Sequence, residues 1–238
     1  MSFNFEERLS DSPFVQRIWR TQSESPSTFT SLASPYWEVV VTIYQGRTSF
    51  TVRGPETKAT QAECPPDAQF FGIIFKMGTF MPHLPALNLL DRKDATLPEA
   101  SSQSFWLNGS AWQFPDFDNA DTFVSRLVRQ GLLVQDPVVD AALQGHPHDL
   151  SIRQVRRRFL RVTGLTQGDI RQIERARHAL TLLQRGTPIL DTVFEAGYFD
   201  QSHLTRSLKL YAGRTPAQIL TISQSDPMSF LYNTQYPE

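Results

Sequence analysis

Apolar positions in the last third of the chain recur at helical spacing. Between residues 189 and 196 they fall at 189, 190, 193 and 194, and Gly197 follows, so the pattern predicts a short helix that ends at this glycine. Asp200 is then placed to cap a second helix whose apolar residues recur at intervals of four and three. The sequence therefore predicts a helix-turn-helix unit. Its outward-facing side chains are Gln201, Ser202, Thr205 and Arg206.

A second unit of the same kind is predicted upstream. A short helix over 137–143 follows an Asp-Pro pair, and an unusually long turn leads to Ser151, which is a good N-cap. The next helix has a predicted inward stripe of Ile152, Val155 and Phe159. The rest of its surface is rich in hydrogen-bond donors, namely Arg153, Gln154, Arg156, Arg157, Arg158 and Arg161.

One long helix is predicted between the two units. Thr166 and Asp169 have the spacing of a capping box, and apolar residues then recur at helical intervals over 167–184. A helix of that length spans roughly 27 Å. Successive major-groove turns on one face of DNA lie roughly 34 Å apart. One chain with two recognition helices on such a spacer is therefore suited to reading two adjacent sites.

Over residues 122–220 the chain resembles the AraC family of bacterial transcription regulators. The resemblance rests on the segments Ser151–Phe159, Thr163–Leu165, Arg175–Ala176, Ala196–Leu204 and Gly213–Pro216. By position, it implies DNA contacts at Arg153, Arg156 and Arg157 in the first unit and at Ser202, His203 and Arg206 in the second. Arginine suits this role because its planar fork can bond guanine O6 and N7 together. The full set of candidate DNA-binding residues is Ser151, Arg153, Gln154, Arg156, Arg157, Gln201, Ser202, His203, Thr205 and Arg206.

Charge is divided unevenly along a chain whose net charge is only −1. Residues 145–220 hold 12 Lys and Arg against 6 Asp and Glu, whereas residues 1–144 hold 11 against 16. A basic module attracts DNA phosphates, and binding through them weakens as salt rises. We therefore expect the C-terminal part to bind DNA and the acidic part to stay off it.

The N-terminal part alternates β-branched and aromatic residues with turn residues. The segments 38–44, 49–52 and 69–75 are predicted to be antiparallel strands. The resemblance implies that this part is a β-rich, cupin-like sensor barrel, which makes the fold class α+β with an all-α C-terminal domain. The predicted division is a sensor or dimerisation domain at 1–120, a DNA-binding domain at 121–222 and a tail at 223–238.

Aromatic residues and prolines are dense between 77 and 117, which is compatible with a pocket for a small molecule. Such sites are mostly apolar with a few placed polar groups. The candidate effector-binding residues are His83, Arg92, Trp106 and Trp112. The competing interpretation is that these aromatic side chains fill the core or a subunit interface, which is their commoner role.

Several other functions are disfavoured. A single cysteine, Cys64, excludes an intrachain disulfide and offers no ligand cluster or activating base for alkyl-transfer repair chemistry. His146 and His148 have no zinc-ligand partners nearby in the sequence, and His83 precedes them alone. No apolar run reaches the ~18 residues of a membrane span, and no signal-peptide pattern is present. We expect a cytoplasmic protein without catalytic activity, cofactor or metal.

The sequence thus predicts a transcription regulator that binds double-stranded DNA. A small-molecule effector, a second copy of the chain and RNA polymerase are its further candidate partners, and no membrane is expected. The alternative is a small-molecule- or partner-binding protein whose helical module is degenerate and binds DNA without specificity. The long turn before Ser151 supports this alternative.

Overall fold

The computed structural model describes residues 5–91, 93–143, 145 and 150–221, and it has an α+β fold. The strands are β1 (Glu6–Arg8), β2 (Val15–Gln22), β3 (Ser27–Ser31), β4 (Glu38–Tyr44), β5 (Arg47–Arg53), β6 (Thr60–Cys64), β7 (Gln69–Phe75), β8 (Thr79–Phe80), β9 (Ala95–Thr96), β10 (Glu99–Ser101), β11 (Ser104–Leu107), β12 (Ser110–Gln113) and β13 (Val134–Gln135). The helices are α1 (Ala120–Arg129), α2 (Pro137–Leu143), α3 (Ile152–Thr163), α4 (Gln167–Gln184), α5 (Ile189–Glu195), α6 (Gln201–Tyr211) and α7 (Pro216–Thr221), with a 3-10 helix at Ala86–Leu89.

The largest sheet is antiparallel and has six strands in the order β1-β2-β7-β4-β5-β9. The predicted strands 38–44 and 69–75 are confirmed, and 49–52 lies within β5. A three-stranded sheet (β10-β11-β12) and two pairs (β3-β6 and β8-β13) complete the β-rich region. Among the described residues these sheets do not close on one another, so the cupin-like barrel itself is not shown.

The two faces of the six-stranded sheet have different surroundings. Side chains alternate between the faces with period two. Val39 and Val41 on β4 and Ile73 on β7 face a large apolar core. The intervening residues point to the other side, where β4 presents Glu38, Val40 and Thr42 to a cavity. One face of this sheet therefore packs on the apolar core, and the other face carries charged side chains at the cavity.

Helix α1 packs with the β-rich region, and the domain boundary at residue 121 stays a prediction. Its buried Phe123, Val124 and Leu127 lie in the same core as the sheet. Phe123 contacts the Trp112 ring edge-on, with the centroids 5.9 Å apart. Which surface covers the apolar face of an amphipathic helix is decided by tertiary packing.

The C-terminal helices pack around α4, whose bounds agree with the predicted 167–184. Ile170 and Ile173 on its first half join the core of α2 and α3. Leu180 and Leu183 on its second half join the core of α5, α6 and α7. Each half of α4 therefore packs against a different helix-turn-helix unit.

The β-rich region also enters both helical cores. Leu32 is buried in the core of the second unit, and the adjacent Ala33 is buried in that of the first. Two backbone bonds reinforce the contact, because the Ala33 N–H donates to the Tyr211 carbonyl at 2.9 Å and that of Ala59 to the Leu210 carbonyl at 2.8 Å. The predicted sensor and DNA-binding parts thus share buried surface.

No helix in the described part of the chain combines the length and apolarity that crossing a membrane would need.

Gly72 is expected to be indispensable to the charged face of the sheet. A Cβ at this position would lie 2.2 Å from Trp19 Cε2, because the indole lies directly over the glycine on the neighbouring strand. We expect Gly72→Ala to lower the unfolding free energy by about 1–3 kcal/mol through overpacking. Chemical denaturation measures this value. In a Trp19→Leu background the same substitution should cost much less, and an equal cost in both backgrounds would contradict the steric explanation.

Candidate functional site

The first recognition helix, α3, begins at the predicted cap. The Ser151 hydroxyl accepts a bond from the Gln154 N–H, and the Gln154 side chain accepts one from the Ser151 N–H at 2.9 Å. This reciprocal pair satisfies two donors that a helix start leaves open. Both side chains remain exposed at the helix N-terminus, where partial positive charge favours phosphate.

The arginines of α3 divide into two groups. Arg153, Arg156 and Arg157 are exposed and form no ion pair with any described residue. Arg158 instead pairs with Asp136 at 3.1 Å, and the same carboxylate accepts a bond from the Val138 N–H at the start of α2. Arg158 thus fixes α3 against α2, and the guanidinium of the fifth arginine of the helix, Arg161, lies 6.0 Å from the Phe80 ring centroid.

Ile152 does not join the inward stripe predicted for α3. Its side chain is 71% exposed, whereas Val155 and Phe159 are buried as expected. Ile152 is the first residue of the helix, where no turn of neighbouring side chains is available to cover it. The long turn before α3 lies largely outside the described residues, as do His146 and His148.

The second recognition helix, α6, begins at Asp200, whose carboxylate accepts the His203 N–H at 2.6 Å. Gln201, Ser202 and Arg206 are exposed. The Thr205 hydroxyl donates to the Gln201 carbonyl at 2.8 Å, so it is partly engaged within the helix. His203 is half-buried, and its ring meets Tyr198 edge-on with the centroids 5.1 Å apart.

Arg175 connects the turn of the second unit to α4. Its Nη1 donates to the Gly197 carbonyl at 3.2 Å, and its guanidinium lies 4.7 Å from the Tyr198 ring centroid. The Tyr198 hydroxyl is hydrogen-bonded to Ser207 on α6 at 2.8 Å. A chain of contacts therefore runs from the long helix through the turn into the recognition helix.

Two of the apolar positions that predicted α5 do not contribute to the core. Leu190 is 71% exposed and Phe194 is 88% exposed, while Ile189 and Val193 pack against the core of the second unit. The helix is only seven residues long and buries one narrow face. The pattern predicted the element correctly and overestimated the width of its buried stripe.

These paired helices define a helix-turn-helix protein, and the comparison with known families refines that class. Residues 148–221 match the family model described as a helix-turn-helix domain, which is of the AraC type. The C-terminal region is therefore an AraC-like DNA-binding domain. Searches of curated proteins and of solved structures gave no match.

Three of the predicted effector-binding residues, His83, Trp106 and Trp112, are described, and they lie in different surroundings. Trp112 is buried in the sheet core, with the Arg126 guanidinium 4.4 Å from its ring centroid. Trp106 is exposed on β11. His83 lies in the turn after β8, and burial lowers its pKa. Arg92 lies outside the described residues.

A cavity of about 500 Å³ lies instead on the charged face of the six-stranded sheet. His83, Trp106 and Trp112 are not among the described residues that line it. Phe29 and Ala62 from the β3-β6 pair form one wall, and Leu180 and Thr181 of α4 form another. The cavity is therefore bounded jointly by the β-rich region and by the helix that joins the two recognition units.

Charged side chains at the cavity are paired. Arg53 contacts Glu38 at 3.4 Å, Asp94 at 3.3 Å and Glu56 at 3.9 Å. Burial raises the pKa of Glu38, and the neighbouring Arg53 guanidinium opposes that rise. The Trp19 indole N–H also donates to Glu38, at 3.2 Å.

Cys64 also lines this cavity, where burial raises the pKa of its thiol. A raised thiol pKa lowers the thiolate fraction and so works against nucleophilic chemistry. No cluster of three or more metal-ligating side chains occurs within the described ranges.

Gly197 is expected to be required by backbone conformation alone. Its φ is +68°, and a Cβ there would have no atom within 4 Å. We expect Gly197→Ala to lower the unfolding free energy by about 1–2 kcal/mol, since residues with a Cβ resist the left-handed conformation. For a chain of this size that corresponds to a decrease in Tm of roughly 2–8 °C, measured by calorimetry. Gly168→Ala, at a position in α4 where φ is not positive, is the control and should not lower Tm. Equal stability of the Gly197→Ala protein and the wild type would contradict this account.

Proposed function

We propose that the protein is a sequence-specific transcription regulator that reads two adjacent major-groove segments with α3 and α6. The observation that carries this proposal is the presence of two capped recognition helices on the two halves of α4, each with exposed arginine. The AraC-like match covers both helices. Exposed arginine and a helix N-terminus are the groups that bind base edges and phosphates.

The proposed activity is binding without bond chemistry, under the control of a small molecule held by the β-rich region. An effector shifts an equilibrium only through unequal affinity for two states. The cavity supports this control because α4 forms part of its wall. A ligand bound there would contact the helix that packs against both helix-turn-helix units. We further propose a cupin-like fold for the β-rich region, dimerisation and contact with RNA polymerase.

Selection from a random DNA duplex pool tests the proposal directly. At fixed, near-physiological salt, the full chain should enrich two short blocks with centres about 10 base pairs apart. The triple variant Arg153→Ala, Arg156→Ala, Arg157→Ala should lose enrichment of one block and keep the other, since these three side chains are exposed on α3 alone. Retention of DNA without enrichment would favour the degenerate, partner-binding alternative.

Arg206→Ala should relax base preference in the second block. A bidentate contact to guanine contributes about 1–3 kcal/mol of discrimination, so affinity for the selected site should decrease by that amount while binding to random DNA changes little. Fluorescence anisotropy at several salt concentrations measures both affinities. Lys209→Ala is the matched control, because it removes an exposed positive charge from the same helix. Equal losses on selected and random DNA for Arg206→Ala would assign this arginine to phosphate contact.

A further inference from the structure

Both recognition helices end against the β-rich region. Gly164 caps the carboxyl end of α3 with a φ of +73°. A Cβ on this glycine would lie 3.1 Å from backbone atoms of Ala86 and Leu87, in the 3-10 helix of the β-rich region. Helix α6 ends at Tyr211, whose carbonyl accepts a bond from the Ala33 N–H. The β-rich region therefore contacts the carboxyl end of each recognition helix.

The carboxyl end of α6 is capped by backbone groups of the β-rich region. The last four carbonyls of a helix have no partner within the helix. The Tyr211 carbonyl accepts the Ala33 N–H at 2.9 Å, and the Leu210 carbonyl accepts the Ala59 N–H at 2.8 Å. A displacement of α6 away from the β-rich region would break both bonds.

One segment of the β-rich region packs into both helix-turn-helix cores. Leu32 is buried in the core of the second unit, and the next residue, Ala33, is buried in the core of the first. Ser34 then forms an antiparallel bridge with Glu56, which connects the segment to the rest of the β-rich region. Closely packed interiors transmit strain. A movement of one unit against the other would therefore disturb this segment.

The attachment of both units to the β-rich region is a second connection between them, besides α4. Two connections oppose a tilt that one connection permits. On DNA, one added base pair between two blocks moves the second block by roughly 3.4 Å and turns it by roughly 34°. Recognition helices that cannot tilt against each other should therefore bind only one spacing of the blocks well.

We propose that the β-rich region fixes the spacing between the two DNA segments that the protein reads, with Leu32 and Ala33 as positioning residues. The assignment rests on the two-segment reading proposed above and adds a determinant of site spacing to it. Both side chains are buried, so they act through the recognition helices without touching DNA. Base preference stays with the exposed side chains of α3 and α6.

Affinity for DNA sites of altered spacing tests the proposal. Fluorescence anisotropy compares the selected site with the same two blocks after one base pair has been added or removed between them. We expect the full-length wild type to bind the altered sites at least tenfold more weakly. Leu32→Ala removes the side chain that enters the second core, so it should reduce this preference to about threefold or less. Its discrimination against base changes within either block should be kept.

Leu183→Ala is the matched control. Leu183 is buried in the same core but belongs to α4, so the variant makes the same truncation without removing a contact from the β-rich region. It should keep the spacing preference. A thermal melt checks that each variant is folded, and the smaller truncation Leu32→Val replaces Leu32→Ala if the alanine variant is not. A Leu32 variant with the wild-type preference, or an equal loss of preference in the Leu183→Ala protein, would overturn the proposal.

A distance measurement without DNA separates this proposal from the function on which it rests. Spin labels at the exposed positions Leu160→Cys on α3 and Lys209→Cys on α6 are introduced in a Cys64→Ser background, which removes the single native cysteine. Double electron–electron resonance then gives the distribution of distances between the two helices. Leu32→Ala should broaden or shift this distribution, and Leu183→Ala should leave it unchanged.

The two measurements have distinguishable outcomes. An unchanged distribution of distances in the Leu32→Ala protein would contradict the positioning role, whatever the protein does on DNA. A changed distribution, together with a selection that yields no pair of blocks, would contradict two-segment reading and support the role of Leu32 in placing α6 against α3.

Discussion

The burial of one helix, α4, is the constraint on which the other elements depend. Buried residues occur along its whole length, because the cores of both helix-turn-helix units and residues of the β-rich region pack against it. Small residues at Ala176 and Ala179 allow close approach at its middle. Burial of apolar surface is the main source of folding free energy. If α4 were displaced, both helix-turn-helix cores and the contact with the β-rich region would lose buried surface together.

The features that the sequence predicted well are local. Ser151, Thr166 and Asp200 were identified as caps from residue type and spacing, and each accepts the bond expected of it. Caps depend on atoms within four residues, so no knowledge of the rest of the fold is needed. The same holds for the turn at Gly197. The outward faces of α3 and α6 follow from these caps and the apolar stripes, whereas the DNA contacts proposed at Arg153, Arg156 and Arg157 and at Ser202, His203 and Arg206 are what the family resemblance implies.

The features that were not predicted depend on long-range pairing. The predicted pocket was based on aromatic density, and the structure uses Trp112 to fill the core instead. The observed cavity depends on strands β2, β4, β5 and β7 meeting side by side. A signal was nevertheless present in the sequence, because Glu38 is the one charged residue of an otherwise apolar, aromatic or β-branched strand β4, and it pairs directly with Arg53 across β4 and β5. Charge within such strands indicates a face that is not ordinary core.

Arg175 has a mechanical consequence for the second recognition helix. It extends from α4 and holds both the Gly197 carbonyl and the Tyr198 ring, while the Tyr198 hydroxyl is bonded to Ser207. These contacts link α6 to α4 through the turn of the second unit. The placement of α6 relative to α3 therefore depends on α4, which shares a buried core with each of them.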